Sequence, residues 1–224
     1  SFEPKAVRTF LRLPWAYMPG AFLPTNPDGT PFYTEEELGY MRLSSKSHWD
    51  APLPLPNGAV LRLLCSHPTP PAFDGPEMRT RKRNHDEIRF WIDYVQDASY
   101  IVDDNDHPGG LERGGLYIIM GDLNADPAPN PDTGNQFKDP MGRLFAFADR
   151  INLTQTPVAD VQVDGLEPAD TAGFKLRVDY VLPSRPIRIL GSGVWRTMPA
   201  LGGEGRPFPS DHYPVWLDLE VPAP

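Results

Sequence analysis

Five consecutive apolar residues, Leu116–Met120 (LYIIM), run straight into Gly121-Asp122-Leu123-Asn124, and no other stretch constrains the fold of this chain so tightly. A strand with one wet face alternates apolar and polar residues, so a run that is apolar throughout fits a central strand covered on both faces. Such a strand requires a sheet with further layers above and below it. The glycine lets the chain turn as the strand ends. Asp122 and Asn124 then project at its carboxyl tip, where open sheets gather ligands. The same residues also read as an Asx turn, with both side chains bonding nearby backbone groups. An EF-hand calcium loop is excluded, because Pro127 stands where glycine is required and Thr133 where the bidentate glutamate belongs.

Around this strand the pattern predicts a mixed set of elements. Ala59–Ser66 (AVLRLLCS) reads as a buried strand ending at His67-Pro68. Asn84–Gln96 carries Ile88, Trp91, Ile92 and Val95 at helical spacing, an apolar stripe whose Asp86 and Arg89 read as a solvated face. Met141–Asp149 is a second helix, and Leu176–Leu182, Arg188–Trp195 and Tyr213–Val221 are later strands. A short helix fits Thr34–Leu43, with Thr34 as cap and Glu35, Glu36 and Glu37 in the first turn. Otherwise residues 1–57 read as an irregular, insert-like region broken by Pro14, Pro19, Pro24, Pro27 and Pro31, and residues 58–221 as the core. The 224 residues suit one domain of the α/β or α+β sandwich kind. Proline supplies 28 of them, in short clusters such as Pro52/Pro54/Pro56 and Pro68/Pro70/Pro71, which marks a loop-rich globular chain.

Several classes drop out. No apolar run approaches the ~18 residues of a membrane helix. The single Cys65 excludes an internal disulfide and a cysteine-based zinc site. There is no phosphate-binding G-x-x-x-x-G-K-[ST], no dinucleotide fingerprint and no G-x-S-x-G elbow. His85-Asp86-Glu87 lacks the second histidine of a zinc-protease helix. A formal charge of −9 leans against a wide groove for duplex nucleic acid. Arg79-Thr80-Arg81-Lys82-Arg83 is the one candidate phosphate-backbone patch, with a solvated helix start as the plainer reading.

Three further features carry chemistry. Ser210-Asp211-His212 precedes the last strand; neighbours there point to opposite faces, so this is no catalytic triad, yet Asp211 and His212 can line one site. Asp179 interrupts the apolar run of Arg177-Val178-Asp179-Tyr180-Val181-Leu182. A buried aspartate needs a partner, and histidine is a natural one; an exposed edge position is the alternative. His67 stands at a strand tip before the stiff Pro-Thr-Pro-Pro segment.

Taken in order, strand–His67, strand–GDLN, strand–RVDYVL and SDH–strand resemble the endonuclease/exonuclease/phosphatase superfamily over residues 58–221. The segments Leu43–His48 (LSSKSH), CSHPTPP and RNHDEIRFW are similar to an exported bacterial branch of it. The resemblance implies a deoxyribonuclease-I-like fold, a four-layered α/β sandwich of two mixed sheets flanked by helices. It also implies metal-dependent hydrolysis of a phosphoester by water, and a secreted or periplasmic location. Asp122 would orient or deprotonate the water, Asn124 would hold the phosphate, and Asp211 would belong to the metal site. His212, oriented by Asp179, would stabilise the pentacovalent phosphate, and His67 would contact phosphate or assist the leaving oxygen. Mg²⁺ is the implied metal, with Mn²⁺ or Ca²⁺ as substitutes. Substrates range over DNA, RNA, inositol phosphates, lipid head groups and small phosphomonoesters.

The family opens with strands ending in an asparagine and a metal-binding glutamate, and neither is recognisable here. The expectation is a domain lacking its first strands, with the missing N-terminal segment as a partner. A catalytically silent scaffold that keeps the fold is the alternative function.

Overall fold

Alternation within the strands sorts the apolar side chains into two layers, and the architecture follows from that sorting. The structure, a computed structural model, describes Glu3 and residues 6–128, 137–147, 149–197 and 210–224. Five strands form one mixed sheet: β1 (Arg8–Thr9), β2 (His48–Pro54), β3 (Val60–Ser66), β4 (Leu116–Asp122) and β5 (Asp179–Pro183), in that spatial order. Only β3 and β4 run parallel. Parallel neighbours need a crossover, which α2 (Arg79–Val95) supplies. α1 (Glu35–Tyr40) precedes the sheet's second strand; Thr34 caps it as expected, in a capping box with Glu37, and it ends short of the expected Leu43. α3 (Pro140–Phe145) packs beside α2.

On the helix side of the sheet, Leu64, Ile119, Tyr180 and Leu182 join Ile88, Trp91 and Leu144 in the main core. On the opposite side, Leu61 and Ile118 form a second core with Leu219 and Val221. Those last residues come from or follow a small antiparallel sheet of β6 (Arg188–Val194) and β7 (Val215–Glu220). Both faces of β4 are therefore covered, as its unbroken apolar run requires. The described residues form three layers: helices, five-stranded sheet and two-stranded sheet. No helix among them is long and apolar enough to cross a membrane.

Residues 1–57 do not form an irregular insert. β2 pairs along its whole length with β3, and its buried Asp50 takes two 2.7 Å bonds from the Arg62 guanidinium and one from the Tyr94 hydroxyl. Pro52 and Pro54 misdirect the sequence reading. They lie beyond the two residues that pair with β1, so that side of β2 is an edge and their missing N–H groups cost no ladder bond. Phe10, Leu13, Trp15, Met18 and Leu43 are buried in the main core, so this region cannot be separated from residues 58–221.

The polar side of α2 is not solvated either. His85, Asp86, Glu87 and Arg89 are all buried beneath the N-terminal segment. Asp86 accepts from the Trp15 indole N–H and the Phe22 N–H, each at 2.7 Å. The basic run forms the start of α2, and two of its residues are engaged within the protein: Arg83 donates to the Leu43 and Arg42 carbonyls, and Arg81 lies 3.7 Å from Asp74. α3 ends short of the predicted Asp149, and residue 148 lies outside the described residues; so does Thr133 of the excluded calcium loop.

Asp86→Ala leaves two buried donors without an acceptor, and each costs its full desolvation. The variant is expected to lose ~3 kcal/mol of unfolding free energy. Urea denaturation checks this, and an unchanged midpoint would show that water replaces the carboxylate.

Candidate functional site

β3 and β4 end side by side, and a glycine permits it. Gly121 has φ +136, and a Cβ there would stand 2.0 Å from the Ser66 carbonyl oxygen. With only hydrogen at that position the two strand tips stay in contact, and His67 Nε2 comes within 3.2 Å of Asp122 Oδ2. β5 adds the next group, because Asp179 is the register partner of Asp122. By the period of two, Asp122 and Asp179 lie on the face of Met120 and Val181, toward the small sheet. His212 enters from the segment before β7. That segment is tied to residues 171–173 through Gly173 N–H to the Asp211 carbonyl and Tyr213 N–H to the Thr171 carbonyl, both at 2.7 Å. His212 Nδ1 lies 2.9 Å from Asp179 Oδ2, and its Nε2 lies 3.9 Å from the same Asp122 oxygen that faces His67. Together they border a cleft of about 440 Å³, lined by Asp122, Asp179, Ser210, His212, Tyr213 and Val215.

The electrostatics differ for the two imidazoles. Burial works against a charged His212, but the hydrogen bond and charge of Asp179, with the charges of Asp122 and Asp211, outweigh it and move its pKa up. His67 moves down: burial is the largest cause, and Lys46 and His212 add repulsion that Asp122 only partly offsets. Burial also raises Asp179, against hydrogen bonds from His212 and Thr171. One carboxylate oxygen thus faces two imidazoles pushed to opposite sides of the ordinary histidine value. Such a split assigns a proton to His212 and leaves His67 neutral between the two pKa values.

Asp122, Asp179, His212, His67 and Asn124 are therefore brought together. Asp122 is at once the Asx turn and a site residue: Oδ1 accepts from the Asn124 N–H at 2.9 Å, while Oδ2 faces the imidazoles. Asn124 has φ +51 and gives one amide proton to the Pro68 carbonyl at 3.1 Å, so it also ties the two loops. Asp211 is exposed and acts on His212 through its charge. Among the described residues, Asp122, Asp179 and His212 are the group whose ligand-type atoms lie within 4.8 Å of one another, and Asp211 is outside it. Pro209, which opens the SDH motif, lies outside the described residues.

Two neighbours escaped the sequence reading. Lys46 extends its ammonium to the His67 and Pro68 carbonyls, at 3.4 and 3.3 Å. Phe174 sets its ring edge-on to His212, centroids 5.4 Å apart. A lysine in a serine-rich segment and a phenylalanine in a loop carry no local pattern that marks them.

A sandwich that gathers ionisable side chains at strand tips on its inter-sheet face is the deoxyribonuclease-I-like fold. The chain belongs to the endonuclease/exonuclease/phosphatase family, whose model matches residues 1–212. It is similar to the crystal structure of an endonuclease/exonuclease/phosphatase from Beutenbergia cavernae, at 14% identity and a TM-score of 0.55 over 99% of this chain and 45% of that one. A second similar structure, from Bacteroides vulgatus, gives 13% identity and a TM-score of 0.51 over 99% of this chain and 67% of that one. The chain thus spans less than half of the first protein's length and about two thirds of the second's. No curated protein sequence matches it.

Proposed function

We propose that this protein hydrolyses a phosphoester, with water as the nucleophile on phosphorus and a divalent cation as Lewis acid. The observation that carries the reading is the Asp179–His212–Asp122–His67 array at the tips of paired strands. Attack on a phosphoester builds negative charge on the phosphoryl oxygens, and fixed positive donors aimed there lower the barrier. His212 keeps its ring proton through Asp179 and presents the Nε2 N–H to those oxygens. Asp122, an acceptor between two rings, orients the water and takes its proton. Neutral His67, whose Nε2 lies 3.2 Å from Asp122 Oδ2, is placed to receive the proton that Asp122 takes from water and to pass it to the leaving oxygen. The second amide proton of Asn124 reaches toward phosphate, and Lys46 adds a cation at the rim.

The donor set suits a hard cation by type, since it is mostly carboxylate oxygen. Asp179 is committed to His212 at 2.9 Å and Asp211 stands outside the converging group, which leaves Asp122 as the carboxylate that would meet an ion. Mg²⁺, with Mn²⁺ or Ca²⁺ as replacements, would there neutralise phosphate charge. Small or single-stranded phosphoesters suit the cleft better than duplex, because Arg81 and Arg83 of the basic run at α2 are engaged by Asp74 and by the Leu43 and Arg42 carbonyls. The motifs similar to the exported branch support a location outside the cytoplasm as part of this proposal, which cell fractionation tests.

The experiment is a panel of bis(p-nitrophenyl) phosphate, p-nitrophenyl phosphate, inositol phosphates, RNA and single- and double-stranded DNA. Each is run with Mg²⁺, Mn²⁺, Ca²⁺ and with chelator. At least one substrate is expected to turn over only with metal, and His212→Ala to cut that rate by about a thousandfold. No turnover of any substrate, or equal turnover by His212→Ala, overturns the reading.

A further inference from the structure

We infer that Asn84, supported by Glu87, is a positioning residue that locks the two loops carrying His67 and Asp122 to one another. The inference rests on the phosphoester reading and assigns work to side chains that never reach the cleft.

An asparagine inside a helix is unfavourable, and burying its amide costs more unless the amide is bonded. Asn84 is only 1% exposed, one residue beyond the basic run of α2. Its amide nitrogen donates to the Thr69 carbonyl at 2.9 Å and to the Leu123 carbonyl at 3.0 Å, with a longer 3.4 Å contact to the Asn124 carbonyl. One nitrogen therefore spans the loop after β3 and the loop after β4. One helical turn on, Glu87 is fully buried and accepts the Thr69 N–H at 2.6 Å through Oε2. Its Oε1 accepts the Ser45 N–H and hydroxyl, both at 2.7 Å. Ser45 adjoins Lys46, so the same carboxylate anchors the segment that brings the rim cation.

The Asn124 side chain closes the ring by bonding the Pro68 carbonyl. Both peptide groups of Thr69 are thus held by α2, and the 122–124 turn is held by α2 and by the 67–69 loop. α2 itself is fixed to the sheet by Ile88, Trp91 and Ile92. The 3.2 Å approach of His67 to Asp122 is the distance this frame sets. Glu87 and Asn84 do so without touching water, metal or phosphate. A misplacement of about 1 Å in such a constellation costs about a hundredfold in rate.

The test is kinetics of the full chain with bis(p-nitrophenyl) phosphate and Mn²⁺, scaled to folded protein, beside melting temperature and crystal structures. Asn84→Ala is expected to lower kcat at least about tenfold with KM within about twofold. Ile101→Ala, buried in the main core but outside α2 and both loops, serves as the stability control and is expected to melt earlier with kcat unchanged. Glu87→Gln keeps one acceptor for Thr69, and its expected kcat lies between wild type and Asn84→Ala, so it carries the test where Asn84→Ala does not fold. The Asn84→Ala structure is expected to have His67 and Asp122 beyond hydrogen-bond reach. A kcat within about twofold of wild type in both α2 polar variants overturns the inference while leaving the phosphoester reading intact. A wild type inactive on every phosphoester overturns both.

Discussion

Asp179→Asn is expected to lower kcat about a hundredfold and to move the alkaline limb of the pH–rate profile toward acid. The sign follows from the two imidazoles. His212 acts while protonated, and its pKa lies above the usual histidine value because Asp179, Asp122 and Asp211 outweigh burial. Activity is therefore lost as pH rises through that raised value. His67 acts while neutral, and burial with Lys46 and His212 holds its pKa below the usual value. Activity therefore appears as pH rises through that lowered value, and a plateau lies between. An asparagine at 179 still accepts a hydrogen bond but carries no charge, so His212 loses its proton earlier. Asp179 reaches His67 only through the charge of His212, so the acid limb is expected to move less than the alkaline one. Profiles of kcat/KM at fixed metal concentration measure both limbs. An alkaline limb that does not move would make Asp179 a ladder residue and nothing more.

Gly121→Ala is expected to cost ~4 kcal/mol of stability and at least about a hundredfold in activity per folded molecule. The added methyl would overlap the Ser66 carbonyl oxygen at 2.0 Å, and φ +136 is strained for any L side chain. Backbone cannot move aside as a flexible side chain can, so β3 and β4 must part where they carry His67 and Asp122. Gly114→Ala is the matched control: its φ is +83, and a Cβ there meets nothing within 4 Å. It is expected to cost ~1 kcal/mol from backbone strain alone, with activity unchanged. Urea midpoints and specific activities of the two variants separate steric separation of the strands from strain. Equal losses in both would place the effect in φ and remove the argument for strand-tip contact.

Single features are legible in the sequence where their cause is local. LYIIM is apolar at every position, and its strand is covered on both faces. Thr34 and Glu37 cap α1 because a capping box needs four residues and nothing else. The Asp179–His212 partnership was legible as a need, since an aspartate inside an apolar strand must be satisfied. Its partner lies 33 residues away, so only its chemical type could be anticipated. The apolar stripe alone starts the helix at Asn84, whereas it begins at Arg79, and the three carbonyl partners of Asn84 lie 15 to 40 residues away. Residues 1–57 misled for the same reason. Prolines that forbid a central strand are harmless at an edge, and sequence does not say which strand lies beside which.

What the sequence determined alone is the set of strand tips and the side chains that end them, because alternation and turn geometry act over a few residues. The tertiary structure decided the rest. Register set Asp122 opposite Asp179, and the tie between residues 171–173 and 211–213 turned His212 inward. The N-terminal segment sealed the polar face of α2, burying Asp86 and Arg89, which read as solvated. Those outcomes rest on contacts such as Arg8 to Asp103, 95 residues apart, and Trp15 to Asp86, 71 apart. Their energy depends on what surrounds each group once the layers close, a quantity that no local pattern encodes.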